Sequence, residues 1–258
     1  METSLATDTP LAPTFPPGQT FKVIGLGGIG SIVARYGAAF LASLLRGGRL
    51  VLIDGDVFEV KNSARMLFSS TGNKADVLRA ELAPALERSE LALESIPEYV
   101  TAASAARLIQ EGDVVLLCVD NHATRRLVSR RISELRDALL ISGGNDGVGP
   151  DSSGTHHQGT YGNVQIHVRA DGHDLTPPLE RFHPEIANPA DRSPAELSCT
   201  ALLESTPQLL FTNLAAASAI LNALLLALSG ALHYAELAFD VRTGRMRPVE
   251  LPRRGTGD

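Results

Sequence analysis

Short apolar runs alternate along the chain with longer stretches of helical periodicity. Residues 21–25 (FKVIG) form an apolar run closed by glycine, residues 29–45 follow with helical spacing, and residues 49–54 (RLVLID) form a second run. Strand, helix, strand is the opening of a βαβ unit. The same rhythm predicts a helix over 73–88, an edge strand over 91–99, a short helix over 102–110, a buried strand over 113–119 (DVVLLCV), a helix over 122–137 and a strand over 138–142. Strands that are continuous apolar runs, separated by helices, imply a parallel sheet covered on both faces.

The pattern changes after Gly143. Residues 143–162, rich in Gly, Ser and His, read as loop, and 163–168 as a strand. Residues 170–198 hold Pro177, Pro178, Pro184, Pro189 and Pro194 and read as a long crossing segment, of a length that usually serves function or moves. No charged residue occurs from 205 to 235, and 209–228 is apolar and long enough to span a membrane. Thr212, Asn213, Ser218 and Asn222 interrupt it, and Asn213 and Asn222 fall on opposite sides of a helix. A buried or interface helix is therefore predicted, not a membrane span. Strands over 235–241 and 245–251, joined by Arg242-Thr243-Gly244, close one domain over 21–251 between a flexible lead-in (1–20) and a tail (252–258).

Composition narrows the picture. With 258 residues, 44% of them hydrophobic, the chain can bury a full core. A net charge of −6 disfavours nonspecific binding to nucleic acid or anionic membranes. Residues 1–20, with four prolines and no apolar core, do not read as a secretory signal, so a cytoplasmic location is expected. Two cysteines are too few for a disulfide scaffold or a four-thiolate zinc site. Cys118, inside an apolar strand, reads as packing; Cys199, just before the last helix, reads either as a nucleophile, because a helix N-terminus lowers a thiol's pKa, or as a small buried residue. His156-His157 lack metal-ligand spacing and read as polar loop.

The candidate chemistry begins at Gly25-Leu26-Gly27-Gly28-Ile29-Gly30, between a strand and a helix, where glycines let backbone approach a phosphate. Asp54 ends the second strand 24 residues after Gly30, where a ribose-binding acid belongs in a dinucleotide fold. Asp56, Asn62, Arg65 and Lys74 follow, then Asp120-Asn121 at the end of the fourth strand. A neutral donor and two cations suit a polyphosphate, and Asp120 is placed to hold Mg²⁺. The residues alone leave open an NAD-dependent oxidoreductase on the shared glycine loop, or a scaffold that binds without catalysing.

GLGGIGS, the Asp54-x-Asp56 pair, Asn62-x-x-Arg65, the helix start at Lys74 and CVDNHATR resemble the MoeB and ThiF adenylyltransferases and the adenylation domains of ubiquitin-activating enzymes. The resemblance continues through Ser142-Gly143-Gly144, Gly162-Asn163-Val164-Gln165, Cys199 with Pro207, and Phe239-Asp240. It implies a Rossmann-like α/β fold with a mixed, mostly parallel eight-stranded sheet. It implies a reaction in which the C-terminal glycine carboxylate of a small ubiquitin-like or sulfur-carrier protein attacks the α-phosphate of Mg-ATP, giving an acyl adenylate and pyrophosphate. Gly25, Gly27, Gly28, Gly30, Asp54, Asp56, Asn62, Arg65, Lys74, Asp120 and Asn121 would then bind the nucleotide, Arg65, Lys74 and Asp120 would act in catalysis, and Cys199 would accept the acyl group for a downstream conjugating protein. A homodimer with the 209–228 helix near its interface is implied as well. The paired Cys-x-x-Cys motifs that bind structural zinc in many members are missing, so no zinc is expected, and residues 1–20 lack the arginine that many dimeric members lend to the partner's site. Either Lys22 or Arg35 substitutes, or a partner subunit supplies the cation; Arg125, Arg126, Arg130 and Arg131 read mainly as a solvated helix face or as a seat for an acidic partner, with Arg125 the one expected to face the nucleotide.

Overall fold

The computed structural model describes residues 10–59, 66–150, 154–181, 183–193 and 208–250. Asn62, Arg65 and Cys199 lie outside the described residues. The chain opens with β1 (Thr20–Ile24), α1 (Gly30–Ser43) and β2 (Arg49–Ile53), the predicted βαβ unit. A ribbon of β3 (Val57–Phe58) and β4 (Gly72–Asn73) leads into α2 (Lys74–Leu86), followed by β5 (Ala92–Ile96), α3 (Ala105–Leu108), β6 (Val114–Leu117), α4 (His122–Ser133) and β7 (Ala138–Asn145). Next come the hairpin of β8 (Val148–Pro150) and β9 (His156–Gln158), then β10 (Tyr161–Ala170) and β11 (His173–Asp174). The crossing segment carries a 3-10 turn (Leu179–Arg181) and α5 (Pro184–Ala187), and α6 (Leu210–Leu228), β12 (Tyr234–Asp240) and β13 (Arg245–Glu250) end the fold.

The main sheet runs β13-β12-β10-β7-β6-β1-β2-β5, with β11 as a ninth strand on β10. Strands β5, β2, β1, β6 and β7 pair in parallel, and β10 to β13 pair antiparallel. The sheet is thus mixed, with nine strands where eight were expected, five of them in the parallel part and four in the antiparallel part. On one face Phe21, Val23, Leu50, Leu52, Leu116 and Val164 meet α1, α2 and α6. On the other, Ile24, Val51, Ile53, Val115, Leu117 and Leu140 meet Leu108 of α3, Val128 and Ile132 of α4, and Ile186 of α5. Burial on both faces is why these strands read as continuous apolar runs. The edge strand β13 carries Arg245, Arg247 and Pro248, residues that discourage pairing with another sheet.

Part of the 143–162 stretch, read as loop, is strand. A Cβ on Gly143 would lie 2.4 Å from Ile220 Cδ1, so this glycine admits α6 against β7; it does not make a turn. Among the described residues α6 alone is long and apolar enough to cross a membrane. Its Thr212, Asn213, Ala216, Ala217, Ile220 and Leu224 are buried in the fold, while Phe211 is 76% exposed.

The crossing segment is tied to the sheet by His183. Nδ1 lies 2.8 Å from Glu185 Oε1 and Nε2 lies 2.8 Å from Glu236 Oε1, and Glu236 also accepts from Asn163 Nδ2. A ring with a carboxylate at each nitrogen is held best as imidazolium, which donates twice. The hydrogen bond to Glu236 raises the His183 pKa against partial burial, with help from Glu185. Burial, then the charge of Arg125 and last that of His183, lower the pKa of the neighbouring His122 on α4. A raised folded value means that the stabilisation is complete below the ordinary histidine pKa and is lost as pH rises through the folded one. Replacing His183 by Gln is expected to lower the Tm more at pH 5.5 than at pH 8.5; an equal loss at both would refute the imidazolium assignment.

Candidate nucleotide-binding site

Four adjacent parallel strands, β5, β2, β1 and β6, end at one edge of the sheet, and the segments that follow them carry the candidate residues. Such a carboxyl edge is where open α/β sheets bind ligands. After β1, Gly25 adopts φ +84°, a conformation that L side chains rarely hold. A Cβ on Gly30 would lie 1.8 Å from the Gly25 carbonyl oxygen, so the loop closes only on glycine there. A Cβ on Gly27 would meet nothing nearer than Met66 Cε at 3.8 Å, and Gly28 is buried at the turn. The loop delivers the chain into α1, whose N-cap position is Ile29, with no capping side chain and no acid in the first turn. By contrast, Asn73 caps α2, and α4 is capped twice, by Asn121 on Thr124 N and by Asp191 on the amides of His122 and Ala123. The N-terminus of α1 therefore keeps the oriented N–H groups that suit an anion.

Asp54 and Asp56, one residue apart beyond β2, have different environments. Asp54 is 8% exposed and accepts from Leu26 N at 2.5 Å and from Asp56 N at 2.7 Å, bracing the glycine loop. Burial raises its carboxyl above the usual range despite the pull of Lys74. Asp56 has a side chain 39% exposed and pairs with Lys74 Nζ at 2.8 Å. Burial raises Asp56, but the charge and hydrogen bond of Lys74, with a hydrogen bond from Tyr99, outweigh it and hold the carboxyl below its usual value. Asn73 Nδ2 donates to the carbonyls of Asp54 and Asp56, which stitches the start of α2 to the end of β2.

Beyond β6, Asp120 is exposed, and Asn121 is used by its own helix. Arg125 does not face an open site. It is 6% exposed, and its guanidinium donates to the carbonyls of Val119 and Gly143 and to Ser142 Oγ, joining the ends of β6 and β7. Burial lowers its pKa, and the charges of Asp120 and Asp191 are among those that offset this. Neither candidate substitute cation reaches the site. Lys22 is buried against Asp113 and the Leu108 carbonyl at the amino edge of the sheet, because its position in β1 alternates with Phe21 and Val23 and faces α3. Arg35 is taken by Glu81 and the Leu67 carbonyl. Cys118 is buried beside Gly30 with its thiol pushed up to about 12 by burial, which is the chemistry of a packing residue. Tyr99 and Asp191 were not singled out in the sequence: each reaches its partner from a loop with no motif of its own, over 43 and 69 positions.

The chain is 37% identical over 123 residues to the adenylyltransferase and sulfurtransferase MOCS3 of Bos taurus, a match that covers 47% of this chain and 24% of that protein. It is 34% identical over 113 residues to the adenylyltransferase and sulfurtransferase uba4 of Aspergillus terreus, covering 42% of this chain and 22% of that one. The chain thus spans about a quarter of the length of these curated relatives. Among solved structures, E. coli MccB with ATP superposes with a TM-score of 0.62 at 16% identity over 92% of this chain and 65% of that one. The microcin C7 biosynthetic enzyme MccB in complex with N-formylated MccA gives 0.65 at 16% identity, over 92% and 66%. At that identity the likeness establishes the fold. A model of the ThiF family matches residues 19–254, a span that takes in every strand and helix described above, and the chain therefore belongs to the ThiF family.

Proposed function

We propose that this chain is an ATP-dependent adenylyltransferase that activates the C-terminal glycine carboxylate of a small ubiquitin-like or sulfur-carrier protein. The carboxylate attacks the α-phosphorus of ATP, the bond to the β-phosphate oxygen breaks, and an acyl adenylate and pyrophosphate result. The observation that carries the reading is the gathering, at one sheet edge of a ThiF-family chain, of an uncapped α1 behind a glycine loop, the Asp56–Lys74 pair and the exposed Asp120. Attack by one anion on another needs alignment and charge neutralisation more than acid or base catalysis. Lys74, 6% exposed and fixed on Asp56, is a preorganised cation for that purpose.

Asp120 has no hydrogen-bond partner among the described residues, which suits it as a Mg²⁺ ligand. No three His, Cys, Asp or Glu among the described residues cluster around a metal, so a cation on Asp120 would take its other ligands from phosphate and water. Bound there, Mg²⁺ would neutralise phosphate charge. Asn62 and Arg65 are assigned to the phosphates, and Cys199 to thioester formation before transfer to a downstream conjugating protein. The reading extends to a cytoplasmic homodimer that buries Phe211, Leu210 and Leu214, exposed on the first turns of α6. ATP–pyrophosphate exchange with a carrier ending in glycine is the test. Exchange is expected with the wild type and a loss of at least about tenfold with Asp120→Asn; equal rates in the two proteins, or no exchange with a verified carrier, would overturn the proposal.

A further inference from the structure

Asp191 lies in the crossing segment beyond α5, yet its carboxylate is spent on α4: Oδ2 accepts from His122 N at 2.7 Å and Oδ1 from Ala123 N at 2.9 Å. The next amide, Thr124 N, is taken by Asn121 Oδ1 at 2.8 Å. Three consecutive amides of the first turn are thereby satisfied, two of them by a residue 69 and 68 positions away. Asn121 alone would cap the helix, as Asn73 caps α2; Asp191 adds a charge-assisted hold on the amides nearest to Asp120. The inner side of this turn is fixed already, because the Arg125 guanidinium donates to the Val119 carbonyl at 2.9 Å and Val119 packs against the glycine loop, where a Cβ on Gly25 would lie 2.8 Å from Val119 Cγ1. The outer side carries the exposed Asp120. Asp191 braces that outer side from a segment that His183 in turn ties to Glu236 of β12.

We infer that Asp191 is a positioning residue for the metal–nucleotide complex: by holding the first two amides of α4, it fixes the turn that carries Asp120 and so the direction in which Asp120 meets Mg²⁺. This rests on the reading of Asp120 given above, and it brings the crossing segment into metal binding through a residue that is not itself a ligand. A turn left free to move is competent only part of the time, and the apparent affinity falls by that fraction.

The test is the dissociation constant of Mg-ATP, and of ATP in EDTA, for the wild type, Asp191→Ala, Asp191→Asn, Asp120→Asn and the double variant Asp191→Ala/Asp120→Asn. Asp191→Ala is expected to weaken Mg-ATP about fivefold and metal-free ATP less than about twofold. Asparagine caps helices as well as aspartate does, so Asp191→Asn should stay within about twofold of the wild type. Because Asp191 acts through Asp120, removing it from Asp120→Asn should cost less than about twofold more. A cap that serves only the helix would lower the Tm and weaken both forms of ATP alike. That result, full additivity with Asp120→Asn, an Asp191→Asn as weak as Asp191→Ala, or unchanged Mg-ATP binding in Asp191→Ala overturns the inference and leaves the nucleotide reading intact. A wild type that binds no ATP, or that binds Mg-ATP no better than Asp120→Asn does, removes the reading of Asp120 and the inference with it.

Discussion

Replacing Gly30 by alanine is expected to abolish measurable nucleotide binding and to lower the Tm, because the new methyl would lie 1.8 Å from the Gly25 carbonyl oxygen and 3.0 Å from Cys118 Cβ. Both neighbours are fixed. Gly25 is pinned by its own amide on the Ile53 carbonyl and abuts Val119, where a Cβ of its own would come within 2.8 Å. The loop must therefore open, and overpacking of this kind costs about 1–3 kcal/mol or more. Gly27→Ala is the informative control. A Cβ there would meet only Met66 Cε at 3.8 Å, so that variant is expected to melt like the wild type while binding ATP more weakly, by crowding the phosphates. Isothermal titration with Mg-ATP beside thermal melts separates the two effects. Full ATP affinity in both variants would remove the loop from the site.

The second large effect concerns stability. Lys22 Nζ lies 2.5 Å from Asp113 Oδ2, and the two side chains are 8% and 5% exposed. Asp113 also accepts from Gln110 N, and Lys22 donates to the Leu108 carbonyl. Lys22→Met leaves a buried carboxylate without its cation, which costs about 3–5 kcal/mol, or a Tm loss of roughly 10 °C for a chain of this size. The double substitution Lys22→Met/Asp113→Leu is expected to regain most of that loss, since an apolar pair replaces a buried ion pair at little or no cost. A Tm within about 2 °C of wild type for Lys22→Met would show that the pair contributes little. ATP binding by the folded fraction should be unchanged, because the pair sits at the opposite edge of the sheet from the glycine loop.

Much of this architecture was legible in local patterns. The glycine loop, the acid at the end of β2 and the aspartate after β6 each follow a strand, and a strand followed by glycine and then a helix is visible within a few residues. The sheet alternation was legible for the same reason: burial on both faces leaves continuous apolar runs. The direction of a side chain within a buried strand was not. Lys22 reads as a spare cation near the glycine loop, but a period of two turns it to the face of α3 and into Asp113. Glycine also misled at 143–162, where Gly143 makes room for Ile220 and so prolongs β7. Tyr99 and Asp191 were illegible because loops supply them and only tertiary contact defines their partners.

The order of strands also governs how the molecule assembles. β1 pairs with β2 directly downstream, but its other neighbour is β6, and Lys22 and Asp113 are 91 positions apart. Pairings of such sequence separation are slow, since loop entropy is lost before contacts form. The turn at Gly25 rests on Val119 and Cys118, so the first βαβ unit leaving the ribosome carries the glycine sequence without the wall behind it. A chain interrupted before β6 is therefore expected to be unable to use ATP as a folding ligand, and the stabilisation that a bound nucleotide confers by mass action becomes available only after the parallel half of the sheet has closed.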